Sequence, residues 1–430
     1  MLSKSWAALA IGLALPFLHG CGNDDANKGQ VRIVNATTEY ATVDLYSLDS
    51  NSNDDLLVSG TAAGTVSSYN GVDKGGRTFD VKNGGNAAVA KSVTGTVSKD
   101  DHYAVVASLT GNALQLTFVS EDEDAPSGNN AKLRVFNAAS SEAASVDVYL
   151  TTHACSALDV TDSPVAAAVT GLQTAFTQVS PAAWNLCVTT AGDQTALLLD
   201  TTLTLAKQEI ATLILTHTTG GVLLNSAVLD QQGAYTAHAN TIARIRAVAD
   251  ATGGSLVSAT VNSVSLVADA PSPSVGNYVT VPAGTLATSL VIDGTTVTAP
   301  TLGSAVAGND YTLLVSGSVS APTAVLITDN NTPSTSTSLP VKARVINALN
   351  GSTGTISATV DSKAVGSATF NAASSYITLA TTTGTSTVRA TTGGTTPTPL
   401  TNQSFASGGV FTIFVYGDAS APVLAPTQDR

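Results

Sequence analysis

Charge and cysteine are both scarce in this chain of 430 residues: charged side chains make up 11% of it, and only three cysteines occur. Basic residues are the scarcer sign, 18 Lys and Arg against 31 Asp and Glu, so phosphate backbones are repelled and nucleic acid is not expected as a partner. Aromatics are 5%, and Trp184 is the one tryptophan beyond the N-terminal apolar run, which leaves few ring platforms for carbohydrate. His102, His153, His217 and His238 stand at no metal-ligand spacing from one another or from a cysteine, and they read as surface or loop residues. No G-x-S-x-G elbow accompanies the many serines. Neither a cofactor nor a catalytic residue is expected.

Thr, Ser, Ala, Gly and Val dominate instead, a composition that suits strands and tight turns better than helices. One short phrase returns four times: VRIVNA from Val31, LRVFNA from Leu133, IRAVAD from Ile245 and ARVINA from Ala343. Its arginines, Arg32, Arg134, Arg246 and Arg344, fall 102, 112 and 98 positions apart, about one small all-β domain each. The chain is a tandem array, and with 43% hydrophobic residues each repeat can bury a modest core and is expected to fold alone.

Period-two alternation follows each phrase. ATVDLYSL from Ala41 sets Val43 and Leu45 on one side and Asp44 and Tyr46 on the other, and ASVDVYL from Ala144 does the same with Val146, Val148, Asp147 and Tyr149. LVSATVNS from Leu256 and ISATVDS from Ile356 end in Asn262-Ser263 and Asp361-Ser362, which offer hairpin turn chemistry. A second strand signal closes each repeat: YAVVASLTG from Tyr103, IATLILTHTTG from Ile210, YTLLVSG from Tyr311 and FTIFVYG from Phe411. These begin 71, 76, 65 and 67 positions after their arginines. Each unit is therefore expected to be a β-sandwich, immunoglobulin-like or transthyretin-like, over residues 30–125, 131–235, 241–330 and 341–430. The polar stretches Ser120–Asn130, Asp230–Asn240 and Asp329–Pro340 read as linkers.

At the N-terminus Lys4 precedes an apolar run from Trp6 to Leu18, too short to span a bilayer as a mature helix, so residues 1–20 read as an export signal. Gly20 before Cys21 resembles the cleavage box of bacterial lipoproteins, in which the cysteine is acylated and becomes the first residue. His19 departs from the small residue usual there, and ordinary secretion with cleavage nearby is the alternative. Gly22 stands where an Asp would hold such a protein at the inner membrane, so the resemblance implies a lipid anchor in the outer membrane of a bacterial envelope. Residues 21–29 form a polar tether. Removing residues 1–20 takes away Lys4, leaving 17 basic against 31 acidic residues, a formal charge of −14.

An oxidising compartment would let Cys155 and Cys187, 32 positions apart, form a disulfide worth roughly 3 to 4 kcal/mol on the chain-entropy model. Two buried thiols are the alternative. Neither cysteine sits in a C-x-x-C pair or beside a basic residue that would make it reactive.

Arg-apolar-apolar-Asn-Ala, then Val-Asp-apolar-Tyr, then a Tyr-Thr-apolar strand ending in Gly, resembles the domain of unknown function 4397 family. The match is good in repeats 1 and 2 and fainter in 3 and 4, where Ala249 replaces the Asn and Ser258 and Ser357 replace the Asp. The resemblance implies small β-sandwiches in exported proteins and no assigned activity. Arg32 with Asp44 and Arg134 with Asp147 read as cross-strand pairs on neighbouring strands, sheet stabilisers rather than a site. The acidic run Glu121-Asp122-Glu123-Asp124 is the best metal candidate, but it lacks the order of a calcium loop and reads as solvated linker. The function expected is a non-catalytic lipid-anchored structural or adhesive rod contacting the membrane and an envelope protein or polysaccharide. A periplasmic or surface module binding a small ligand, peptide or glycan is the alternative.

Overall fold

The computed structural model describes residues 27–37, 40–49, 54–86, 88–110, 113–171, 173–218, 220–334, 336, 338–352, 354–380 and 385–430. The expected signal segment and Cys21 lie outside them. Lys28 and Gly29, assigned above to the tether, open the first strand, where they pair with Asp73 and Val72.

The described chain is built from strands, with no α-helix among the described residues. It forms tandem β-sandwiches, four units of one plan. In unit 1 the outer sheet has the order Asp54–Ala62, Thr42–Leu48, Gly75–Asn83, Val89–Val97, and the inner sheet Thr65–Val66, Lys28–Asn35, His102–Thr110, Ala113–Ser120. The Arg phrase and the closing strand signal lie side by side and parallel in each inner sheet, matching Arg32 with Ala104, Arg134 with Thr212, Arg246 with Thr312 and Arg344 with Thr412. Between the sheets of each unit sits a separate core. In unit 1 it is formed by Val31, Ile33, Val43, Leu45, Phe79, Val81 and Val105. The other three follow the same pattern. Asn262-Ser263 and Asp361-Ser362 carry positive φ at both residues (48° and 67°, 49° and 68°), as a two-residue hairpin turn demands.

The inner sheets are buried on both faces. Val34, Ala104, Val106 and Val119 of unit 1 point away from their own core and meet Phe136, Ala138, Ile214 and Leu229 of unit 2. Val248 and Leu314 of unit 3 meet Ile346, Phe414 and Tyr416 of unit 4 in the same way. Units 1 and 2 thus stack as one four-layer block and units 3 and 4 as another. This explains why the Arg phrase reads as a nearly unbroken apolar run, since a central parallel pair covered on both sides has no solvent face to make polar.

The blocks also touch. Thr218 of unit 2 donates its hydroxyl to the Gly308 carbonyl of unit 3 (2.8 Å), and Arg430 at the end of unit 4 donates to the Ser141 carbonyl of unit 2 (2.6 Å). The stretches expected as linkers are built into these junctions. Tyr235–His238 is the fifth strand of the inner sheet of unit 2, running past the boundary expected at residue 235, and Glu121 and Asp329 are 2% and 1% exposed. The carboxylates of Glu121 and Asp329 serve buried partners rather than water, while most of the remaining residues of the first two stretches are exposed.

Candidate functional site

The repeated arginine lies on the partner-facing side of its inner sheet, because alternation turns Val31 and Ile33 inward and Arg32 outward. In units 3 and 4 the arrangement is reciprocal. Arg246 of unit 3 donates to Asp429 of unit 4 at 2.5 Å, and Arg344 of unit 4 donates to Asp329 of unit 3. Each carboxylate also accepts from a threonine of its own unit, Thr412 for Asp429 and Thr312 for Asp329, and those hydroxyls accept from Arg344 Nε and Arg246 Nε. Burial pulls the Arg246 guanidinium down, but Asp429, Tyr278 and Asp329 together outweigh it and leave Arg246 above its ordinary value.

Units 1 and 2 keep the frame and lose one acid. The positions of Asp329 and Asp429 are held by Glu121 in unit 1 and Gln231 in unit 2; Glu121, Gln231 and Asp429 lie one step beyond the last pair of the closing hairpin, and Asp329 forms that last pair with Asp310. Lacking an acid across the interface, Arg32 takes both oxygens of its own unit's Glu121 and donates to the Gly233 and Asp230 carbonyls of unit 2. Arg134 donates to Thr212 and to the Ser120 carbonyl of unit 1, and burial lowers it to about 10. Over every arginine lies a ring: Tyr69, Phe176, Tyr278 and Tyr376, with guanidinium carbons 4.5 to 4.7 Å from the ring centres.

The expected Arg–Asp pairs do not form, since Arg32 and Asp44 belong to opposite sheets. Asp44 accepts instead from the backbone of Gly60 (2.7 Å) and Gly85 (3.1 Å), and Asp147 from Ala168 (2.7 Å) and Gly192 (2.8 Å). Gly60 and Ala168 have φ of 68° and 49° and sit where the edge strand slips register, so the aspartate holds a β-bulge. Ser258 does the same in unit 3, accepting from the Asp269 backbone. Of the acidic run only Glu121 is buried, on Arg32; Asp122 and Asp124 are exposed, as a solvated linker would leave them, while Asp122 also accepts from the His102 backbone and from Gln232, and Glu123 pairs with Lys132. No metal-holding group of three or more His, Cys, Asp or Glu exists among the described residues. His217 is buried rather than a surface residue, while His102 and His153 pair with Asp122 and Asp162.

Cys155 and Cys187 are joined in a disulfide with Cα atoms 5.4 Å apart. It lies on the outer sheet of unit 2 in a cluster with Tyr149 and Leu197, and Leu223 and Ile242 extend that cluster to the start of unit 3.

At one end of the interface between units 1 and 2 the inner sheets part around a cleft of about 370 Å³. Ala36, Ala63 and Gly64 of unit 1 and Ala227, Ala237 and Ala239 of unit 2 leave the space, and Thr216, Asn225, Tyr235 and His238 border it. Asn225 Oδ1 accepts from the Asn240 backbone (3.0 Å), and His238 Nδ1 faces the Thr202 carbonyl at 3.0 Å. Burial raises the Tyr235 hydroxyl to about 12, so it stays protonated.

Residues 29–149 match the family described as Domain of unknown function (DUF4397). The DUF4397 match takes in unit 1 from Gly29 onward and runs into the second strand of unit 2, Val146–Thr151. No curated protein matches the chain. Among solved structures it is similar to CBMbc (family CBM26) from Eubacterium rectale Amy13K in complex with maltoheptaose, at 12% identity and a TM-score of 0.17 over 47% of this chain and 96% of that one. It is similar also to the Bacillus anthracis TIE protein, at 10% identity and a TM-score of 0.14 over 87% of this chain and 67% of that one.

Beyond the DUF4397 match the corresponding end of the second block is closed. Asp250 takes the place of Ala36, four residues after the phrase arginine, and accepts from the Gly417 backbone (2.7 Å) and the Asn350 amide (3.2 Å) of unit 4. Burial pushes its carboxyl up to about 8, partly countered by the Gly417 hydrogen bond. The rings over the arginines and the closing acids were missed from the sequence. The rings were findable: Ser67-Ser68-Tyr69, Thr174-Ala175-Phe176, Gly276-Asn277-Tyr278 and Ser374-Ser375-Tyr376 repeat as the arginine phrase does, whereas the closing position holds Gln231 in unit 2 and does not repeat as an acid.

Proposed function

We propose that the protein is a non-catalytic, lipid-anchored component of a bacterial cell envelope, a stiff structural or interaction body whose four units all descend from the DUF4397 domain. The observation that carries this reading is the reciprocal burial of Arg246 and Arg344 on Asp429 and Asp329, which fastens neighbouring sandwiches face to face. Such a body presents fixed surfaces at a distance from its anchor, as a scaffold or adhesive stalk requires. Its two blocks, rather than four loosely strung beads, are the rigid elements. Cys21 is the anchoring residue and the outer membrane the site, with an envelope protein or polysaccharide as partner; the −14 charge disfavours nucleic acid. Surface labelling of intact cells tests the placement: labelling without permeabilisation supports an outward-facing role, and protection until the outer membrane is opened supports a periplasmic one.

A second reading, a binding module, is favoured by the cleft between units 1 and 2, a concave site at a domain junction just inside the usual size range of ligand pockets, about 300–1,000 Å³.

A further inference from the structure

The two blocks are built on one plan, so each serves as a control for the other. Where Asp250 of unit 3 reaches across to Gly417 and Asn350, unit 1 has Ala36, and the space stays open. Closure by an acid, as in the second block, was thus available to this fold and is not used in the first.

The groups bordering the open cleft have hydrogen-bonding capacity left over. Asn225 uses its Oδ1 on the Asn240 backbone, and its amide NH2 has no partner among the described residues. His238 Nδ1 lies against the Thr202 carbonyl, which can only accept; that nitrogen therefore carries the proton, and in the neutral ring Nε2 is an acceptor. The hydroxyls of Thr216 and Tyr235, also without partners among the described residues, can each donate and accept. No Asp, Glu, Lys or Arg lines the cleft. Donors and acceptors are mixed, no fixed charge is present, and a tyrosine ring stands beside small alanines.

We infer that this cleft binds a neutral, hydroxyl-rich ligand of one or two sugar rings. A sugar hydroxyl donates and accepts at one atom, which suits a rim of one donor, one acceptor and two groups that do both. The ring's C–H face can lie on Tyr235. A charged saccharide would find no counter-ion. The side chains left over here present isolated polar tips, which suit a small polyol; an extended peptide would instead add to the outer backbone edge of Tyr235–His238, the last strand of its sheet, and a tetrapeptide probe tests for it. The inference rests on the binding-module reading and names its ligand class.

The test uses the full mature chain, with maltose, cellobiose and N,N′-diacetylchitobiose as neutral probes, glucuronic acid as the charged one, and the tetrapeptide Ala-Ser-Thr-Ala as the alternative class. Binding is read by saturation-transfer NMR and calorimetry. At least one neutral sugar should bind and glucuronic acid should not. Thr216→Val should weaken that binding about fivefold, the share of one hydrogen bond. Ala237→Trp, at an exposed position that can take the bulk without unfolding the sheet, should abolish it with the melting temperature unchanged. Binding of the tetrapeptide alone would overturn the ligand class and leave the cleft a site. Binding of no probe, or of a sugar indifferent to both substitutions, would overturn the site as well.

Discussion

Removing the carboxylate of Asp429 strands the Arg246 guanidinium in an interface where it is 1% exposed. A buried ion pair broken on one side costs about 3–5 kcal/mol, more than the pair itself contributes, because the remaining charge keeps its desolvation penalty. Asp429→Ala should therefore lower the unfolding free energy of the second block, measured by urea titration, by that order while the first block unfolds as before. Asp250 gives a second residue-scale expectation. Its folded carboxyl is raised from 3.8 to about 8, so the folded state holds the proton more tightly than the unfolded chain does. The stabilisation is whole below about 3.8, declines as pH rises and is gone once pH has passed through about 8. Melting temperature measured from pH 5 to 9 should fall for the wild type, and Asp250→Asn should flatten that fall. An unchanged slope in the variant would assign the pH dependence elsewhere.

Among the elements, the inner sheets decide how much chain folds together. The repeat pattern implies separate cores, and each unit has one, but each inner sheet also carries an apolar outer face that only its partner covers. A piece from Lys28 to Asn130 leaves Val34, Val106 and Val119 open to water, and Arg32 without the carbonyls of Asp230 and Gly233. A piece from Lys28 to Asn240 covers both. The longer piece should melt in one cooperative transition as a monomer, and the shorter should melt lower and self-associate through its bare sheet. Calorimetry with sedimentation velocity checks this. Equal melting temperatures, both species monomeric, would mean that the face-to-face contact contributes little.

For the molecule as a whole, the disulfide and the anchor give the remaining expectations. Cys155–Cys187 closes a loop within unit 2 alone, so reduction should lower that unit's stability by about 3 kcal/mol or somewhat less, with both thiols resistant to labelling until reductant is added. Its cluster includes Ile242, so proteolysis after reduction should begin at the junction of units 2 and 3. Cys21→Ser should abolish lipid labelling and release the protein from membranes. Its retention in the membrane fraction after a salt wash would remove the anchor from the proposal.

Repetition and alternation determined the all-β class, the four-fold plan and the strands that carry the arginine phrase, because a side-chain period of two is a local property of extended backbone. They also placed the two cysteines within one repeat, close enough for one sandwich to hold both. What each polar residue touches was decided only by the tertiary structure. Alternation puts Arg32 and Asp44 on definite faces of their strands, but which sheet each strand joins depends on pairings with distant parts of the chain, Arg32 with Ala104 and Asp44 with Lys82. Glu121 reads as linker because it follows a strand and precedes three more acids. It is buried because a second sandwich closes over it, a consequence of apolar area that no single repeat displays. The cleft between units 1 and 2 lies one level further from the sequence. It exists because alanines from separate repeats meet where the other block has Asp250 and Asn350, and a small residue announces the space it leaves only when its neighbours are known.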